Sequence, residues 1–411
     1  MKYNSIMVLV MKMLIREQYL SKIRGFYHTK SLIKILYGMR RSGKSVILTQ
    51  IIDELIKEGI NKENIIYINF ESLKYDFIKN AHDLYNYIES LKINNKTYYV
   101  FLDEVQKVND FEKAINSLRI DDNYSIFISG SNSRMTFLEL SSELSGRYVK
   151  FRINPLSFKE VITLLGIKKC DYEKLLFDIF KWGNLPQRFL FESEVDKINY
   201  LSSVYDSIIL KDVVERLKIK DLSSFNKVLQ YILDIEGKEV SIDNLLKYLE
   251  KEHHQIANDT LYTYLEALSS TFIMNKVYRY DVHGKNTLKT LYKFYTNDLG
   301  IKLIKTDNSN INYSICLENI VYNELINKGY KVYVGKTRKG EIDFVTTKNE
   351  TFKYIQVCYD LEEENTRKRE FSAFDNIEGN EKYIITLSKK DYSTENVKQV
   401  NIFDFLLDDN F

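Results

Sequence analysis

Two prolines and three cysteines in 411 residues are the first scarcities of this sequence. Cys170, Cys316 and Cys358 lie far apart and form no C-x-x-C pair, which excludes a disulfide framework and leaves structural zinc without ligands. No apolar run approaches the ~20 residues that cross a bilayer. The early stretch "NSIMVLVMKMLIREQYL" comes nearest to a signal peptide, but it has no small-residue cleavage site and passes straight into a charged helical pattern. A cytoplasmic protein without a membrane segment is therefore expected. A net charge of only +2 is too weak to draw nucleic acid by bulk electrostatics, although a local basic surface stays open. What is present is 28% charged and 44% hydrophobic residues, the balance of a folded chain long enough for about two to four cores.

The segment "KILYGMRRSGKSVILTQ" carries the first chemistry. Gly38, Gly43, Lys44 and Ser45 fit G-x-x-x-x-G-K-[ST], between an apolar run that reads as a strand and "SVILTQIIDELIKEG", which reads as an amphipathic helix. Strand, loop and helix in that order make a phosphate cradle. Backbone N–H groups of Gly38, Met39, Arg40, Arg41, Ser42 and Gly43 would wrap the phosphates of ATP, Lys44 would reach the β and γ positions, and Ser45 would ligate Mg2+. Arg40 and Arg41 are unusual inside such a loop, with phosphate, acids of the same domain or another domain as alternative contacts.

Later strands supply the rest. "IIYINFE" ends in Glu71, and "TYYVFLDEVQKV" ends in Asp103 and Glu104. Asp103 would hold magnesium through water while Glu104 orients or deprotonates the attacking water, a division expected of a hydrolase. "YSIFISGSN" ends in Ser131 and Asn132, which could hydrogen-bond the same water or the γ-phosphate, or simply cap the strand end. Arg147, near the start of a late strand, could reach a neighbouring protomer's γ-phosphate or close an internal salt bridge. Alternating strands and helices over 32–153 predict a mostly parallel sheet with its ligand at the strands' carboxyl ends.

Taken together, "LIREQYLSKI", "YGMRRSGKSVIL", "VFLDEVQKV", "ISGSNSRM", "LSGRYVKFRINPLSFKEV" and "GNLPQRFL" resemble the AAA-type ATP-binding proteins of bacteria and archaea that carry a C-terminal domain of uncharacterised function. These fall within the broader STAND and archaeal-ATPase-like P-loop group. The resemblance runs from about Arg16 to about Asp360. It implies an α/β P-loop NTPase core with a helical lid, followed by a winged-helix domain and a C-terminal α/β restriction-endonuclease-like domain. Lys44, Asp103 and Glu104 would take the loop and acid roles, Ser131 or Asn132 the sensing role, and Arg147 a finger-like role.

The middle of the chain reads as helices at three and four spacing, favouring a lid over 154–220. Over 221–282, three helices and a short strand pair suggest the winged helix, with Ser241 capping its second helix and Asn258 or Asp259 its third. The third helix, which usually reads a groove, offers Tyr262, Tyr264 and Glu266 and no arginine cluster. The core is then 1–153 and the C-terminal domain 283–411. There Glu318 on a helix and Asp343 on a strand match the first two positions of the nuclease pattern. At the E-x-K position stand Gln356, Val357 and Cys358, so a carboxylate becomes an amide and the lysine a thiol, which marks the site as degenerate. Asp343 has a structural alternative as partner of Lys336 or Arg338. The expected function is an ATP-hydrolysing, magnesium-dependent switch or motor. The alternatives are a DNA-binding protein with ATP-regulated or residual nuclease activity and a nucleotide-stabilised interaction module. DNA through the winged-helix or C-terminal domain, a protein partner and self-association are the partners left open.

Overall fold

Five short strands rich in Ile, Val, Phe and Tyr build the first sheet: β1 (Ile33–Tyr37), β2 (Ile65–Asn69), β3 (Tyr98–Asp103), β4 (Tyr124–Gly130) and β5 (Tyr148–Arg152). All pair in parallel, in the order β2-β3-β4-β1-β5. Such pairing requires a crossover between strands, and helices α1 (Glu17–Ile23), α2 (Lys44–Lys57), α3 (Ala81–Ser90) and α4 (Phe111–Ile120) flank the sheet. Strand alternation sends Ile35, Val100, Leu102, Ile126 and Ile128 to one face, where they pack with Leu84, Ile88, Ile115 and Leu118 of α3 and α4. Leu36, Phe101 and Phe127 go to the other face, against Tyr19, Leu20, Ile47, Ile51 and Leu55 of α1 and α2. With both faces covered, β3 and β4 are buried along their whole length. This is the parallel α/β core that the sequence predicts.

The computed structural model describes residues 14–131, 144, 146–306, 311–338, 340–375, 377, 379 and 381–411, and divides into two units, Met1–Pro155 and Leu156–Phe411. Asn132, assigned above to catalysis or sensing, lies outside the described residues.

The second unit starts with α5 (Phe158–Leu165), α6 (Tyr172–Trp182) and α7 (Glu194–Ile208), the last running on into a π-helical stretch at Ile209–Arg216. Ser157 and Glu160 form a reciprocal capping box at the start of α5, and left-handed Gly166 ends it. Next come α8 (Leu222–Asp234), α9 (Ile242–Lys251) and α10 (Asn258–Ser270), then strands β6 (Met274–Asp281) and β7 (Asn286–Thr296). They are followed by α11 (Leu299–Leu303), α12 (Tyr313–Asn327), β8 (Lys331–Lys336), β9 (Glu341–Lys348), β10 (Thr351–Cys358), α13 (Glu364–Ser372), β11 (Glu381–Thr386), β12 (Lys398–Asn401) and α14 (Ile402–Leu407).

Several expectations change here. The helices assigned to a lid belong to the second unit, where α6 packs on α11 and α12, and α5 on α14. The anchor is a buried knot in which Asp298 accepts the backbone N–H of Asn184 at 2.6 Å, and Trp182 is buried as core. A boundary at 282/283 falls in the turn between β6 and β7, which form one antiparallel ladder. Strand β6 also pairs with β8, so both segments share a single seven-stranded sheet, β12-β11-β10-β9-β8-β6-β7. Ser241 caps α9 as expected, but neither Asn258 nor Asp259 caps α10, whose N-cap is Ala257. Tyr264 does not share the accessible face with Tyr262: it is buried, and its hydroxyl donates to the carbonyl of Asp221.

Candidate functional site

The loop after β1 takes its shape from two glycines. Gly38 has φ 147°, and a Cβ there would sit 2.1 Å from the carbonyl oxygen of Ile153, so only glycine lets the chain pass. Gly43 at φ 101° turns the loop into α2, whose first residue is Lys44. The Lys44 ammonium donates to the carbonyls of Gly38 (3.1 Å) and Met39 (3.0 Å), folding the side chain back over the loop. Ser45 is exposed at the helix start. Among the described residues the fully buried Ser42 hydroxyl finds no hydrogen-bond partner. An orphan buried donor at a helix N-terminus, with one glycine position closed to a Cβ and a second held at positive φ, fits a phosphate chain.

The sheet brings the acids to the same edge. Asp103 ends β3 fully buried, accepting from Ser129 Oγ, from the Tyr67 hydroxyl at 3.0 Å and from Asn69 Nδ2 at 3.4 Å. These three donors satisfy the buried Asp103 side chain at the carboxyl end of β3, and Asp103 and Ser45 are residue types suited to a hydrated Mg2+. Glu104 follows in the left-handed region (φ 55°, ψ 44°), a conformation rare for a residue with a Cβ and characteristic of functional turns. Its backbone N–H donates to Ser129 Oγ at 3.2 Å, while Oε2 accepts from Ser131 Oγ at 3.0 Å and from Gln106. Burial pushes the Glu104 pKa up, yet the charges of Lys44 and Arg40, with the Gln106 and Ser131 hydrogen bonds, outweigh it and leave the pKa below its ordinary value. A buried carboxylate is thus kept ionised.

Arg40 reaches from the loop to Glu71, just beyond β2, at 3.5 Å. Arg41 is exposed and left-handed at φ 68°. Arg147 is not brought to this edge. It precedes β5, which runs parallel with β1 from Ile33↔Tyr148 to Tyr37↔Arg152, so five residues of strand, roughly 16 Å at ~3.3 Å each, separate it from the loop. There its Nη1 donates to Asn116 Oδ1 at 3.3 Å.

Sequence reasoning missed the braces of the site. Buried Arg16 donates Nη1 to the carbonyls of Ser42 (2.7 Å) and Asn154 (3.2 Å), and Nη2 to that of Pro155 (3.3 Å). Nothing in "LIREQYL" marks that arginine. Ser129 and Asn69 carried a signal, a polar residue in an otherwise apolar strand.

The second unit holds another acid cluster, in a cleft of about 1340 Å³ lined by Glu318, Glu341, Asp343, Gln356 and Glu370, with Lys238, Arg338 and Arg369 also on its walls. Asp343 does not pair with Lys336 or Arg338. Its N–H donates to Gln356 Oε1 at 2.7 Å, and Oδ2 accepts from the N–H of Val357 at 2.8 Å. Gln356 also donates Nε2 to Glu370 at 2.8 Å, so its amide is spent on protein partners instead of being offered as a ligand. A lysine does enter the cluster from elsewhere in the chain: Lys293 of β7, buried, pairs with Glu341 and lies 4.0 Å from Glu318. Burial, with the nearby charges of Glu341 and Glu236, raises the pKa of Glu318, and burial with the charge of Glu318 raises that of Asp343, Lys293 opposing both. Burial works against the Lys293 charge, but Glu318, Glu341 and Asp343 outweigh it and raise its pKa. Among the described residues no group of three or more His, Cys, Asp or Glu side chains is arranged to hold a metal ion. Nor is any helix among them long and apolar enough to cross a membrane.

A parallel sheet with a glycine-bounded phosphate loop after β1 and two acids at the carboxyl end of β3, one strand removed across β4, defines an AAA-type P-loop protein that binds ATP, and residues 30–162 match the family model of an AAA domain. Residues 173–310 and 314–405 match two domains of unknown function, DUF8612 and DUF4143. The chain is 36% identical over 400 residues to an uncharacterised protein of Haemophilus influenzae, covering 96% of this chain and 99% of that one. It is 30% identical over 357 residues to the uncharacterised protein MJ1544 of Methanocaldococcus jannaschii, covering 84% and 78%. The chain belongs to the family of these AAA-domain proteins. Among solved structures it is similar to Orc1 of Aeropyrum pernix in complex with DNA (TM-score 0.32, 13% identity, 71% of this chain and 91% of that one). It is also similar to AMPPCP-bound DnaA of Aquifex aeolicus (TM-score 0.30, 14% identity, 61% and 85%). Neither score supports an argument about function.

Proposed function

We propose that this protein hydrolyses ATP with magnesium and uses the cycle as a conformational switch. The observation that carries the reading is the meeting of Lys44, Asp103 and an ionised, buried Glu104 at one edge of the parallel sheet. Lys44 neutralises the β and γ phosphates, Ser45 and Asp103 hold the magnesium, which neutralises phosphate charge when bound, and Glu104 orients the attacking water and takes its proton. Ser131 keeps the Glu104 carboxylate aimed. The position of Arg147, far from its own loop, favours action on a neighbouring protomer's phosphate. The test is steady-state turnover and nucleotide binding of the full chain. Glu104→Gln is expected to keep ATP affinity while lowering hydrolysis by ~10²-fold, the order of general-base assistance. Unchanged turnover sinks the assigned role.

A second reading is favoured by Lys293. A cleft with an acidic floor, one buried ammonium and Lys238, Arg338 and Arg369 on its walls suits a nucleic-acid backbone, with residual cleavage at Glu318 and Asp343. Binding of a labelled DNA duplex that weakens in Arg338→Ala, with nicking lost in Asp343→Asn, is the expected result. DNA binding and cleavage indifferent to both changes count against it.

A further inference from the structure

Arg40 is the side chain on the nucleotide edge that the scheme above leaves without work. Its guanidinium is held 3.5 Å from Glu71, its side chain is only 11% exposed, and its charge acts on Glu104 together with that of Lys44. It therefore lies among the ends of β2 and β3 and the loop, the region to which the ATPase reading assigns the γ-phosphate. We propose that Arg40 is a catalytic residue supplied in cis: on ATP binding it exchanges Glu71 for the γ-phosphate and stabilises the charge that develops there. The inference rests on the ATPase reading and deepens it.

Two features make the exchange favourable. Glu71 is 46% exposed, so its pairing with Arg40 is a half-solvated one of small worth and water takes over when the arginine leaves. A γ-phosphate offers more negative charge and a bidentate set of oxygens to a planar guanidinium. Glu71 is nonetheless well placed as a resting partner. Its backbone N–H donates to Asn69 Oδ1 at 2.7 Å, Phe70 N–H donates to the Asp103 carbonyl at 3.1 Å, and Lys107 donates to the Phe70 carbonyl at 3.0 Å. In the reaction the water oxygen forms a bond to the γ-phosphorus, the bond from that phosphorus to the bridging oxygen breaks, its electron pair stays on ADP, and the water proton passes to Glu104. Arg40 forms no covalent bond. It stabilises the charge of the transferring phosphoryl group, the role an arginine finger plays when brought by a partner.

The exchange also implies restraint without ligand. While Glu71 holds Arg40, the guanidinium is engaged with a carboxylate, so ATP, with its γ-phosphate, competes for the arginine and ADP does not.

The experiment uses the full chain: ATP and ADP affinities by calorimetry and turnover by phosphate release, for the wild type, Arg40→Met, Arg40→Lys, Glu71→Gln and Lys44→Ala. Arg40→Met is expected to lower kcat by at least ~10²-fold and to weaken ATP, while ADP affinity stays within about threefold, which also reports an intact fold. Arg40→Lys recovers part of the ATP affinity and little of the rate, since an ammonium cannot make the planar contact. Glu71→Gln tightens ATP relative to ADP. Equal losses of ATP and ADP affinity in Arg40→Met, or unchanged turnover while wild-type activity still depends on Lys44, overturn the inference alone. Wild-type protein without Lys44-dependent turnover overturns the ATPase reading and the inference with it.

Discussion

Gly38 shows how little latitude a single position has. With a Cβ 2.1 Å from the Ile153 carbonyl, Gly38→Ala must push the loop away from the end of β5, and a residue with a side chain is strained at φ 147° in any case. The variant is expected to lose several kcal/mol of stability and most ATP affinity, which thermal unfolding with and without nucleotide measures. Lys34 is a different kind of residue. Fully buried on β1, it donates to Ser125 Oγ at 2.8 Å and to the Thr29 carbonyl at 2.8 Å, and burial lowers its pKa to about 7. The unfolded chain, with an ordinary lysine pKa, then binds a proton between about pH 7 and pH 10 that the folded chain declines, so this group's contribution makes stability rise with pH across that window. Lys34→Met should flatten the rise in urea midpoints from pH 7 to 9. An equal slope in both proteins refutes the shift. Neither residue is equally legible from sequence: Gly38 belongs to a spacing pattern, whereas a lysine in "LIKILY" looks like one more polar residue on a strand.

At the level of elements, strands declare themselves and their neighbours do not. "TYYVFLDEV" fixes a buried strand with acids at its end, and β3 is that strand. The partners of those acids come from β2 and β4, through Tyr67, Asn69 and Ser129, and their convergence is a matter of strand order that no linear spacing encodes. The same holds in the second unit. Lys293 of β7 and Glu318 of α12 are distant in the chain, and only the fold brings them within 4.0 Å. The Arg147 position follows from the direction of β5. If it acts across protomers, Arg147→Ala mixed with Glu104→Gln should recover part of the turnover each lacks, and a mixture no more active than the sum of its parts argues against it. The expected helix end holds at Ser241, which caps α9, while the Ser157 capping box and the Gly166 stop of α5 are found in the structure alone. The expectation fails at α10, where Ala257 occupies the cap and Tyr264 turns inward to Asp221.

For the whole molecule the division after Pro155 has a thermodynamic consequence. Each unit has its own sheet and core, so calorimetry is expected to resolve two transitions. Mg-ATP at 100 times its Kd should raise only the one belonging to the first unit, by a stabilisation of about 2.7 kcal/mol. A single transition that moves as one with nucleotide refutes independent units. The sequence points to the parallel sheet and the loop of the first unit, since those motifs sit on strand ends. It divides the second at 282/283 because the turn of a hairpin and the gap between domains share the same polar, glycine-bearing composition. Arg16 adds a mechanical property to the first unit. One guanidinium grips the Ser42 carbonyl inside the phosphate loop and the carbonyls of Asn154 and Pro155, the last two links of chain before the second unit begins. The phosphate loop and the end of the first unit are thus tied to one another through the guanidinium of Arg16.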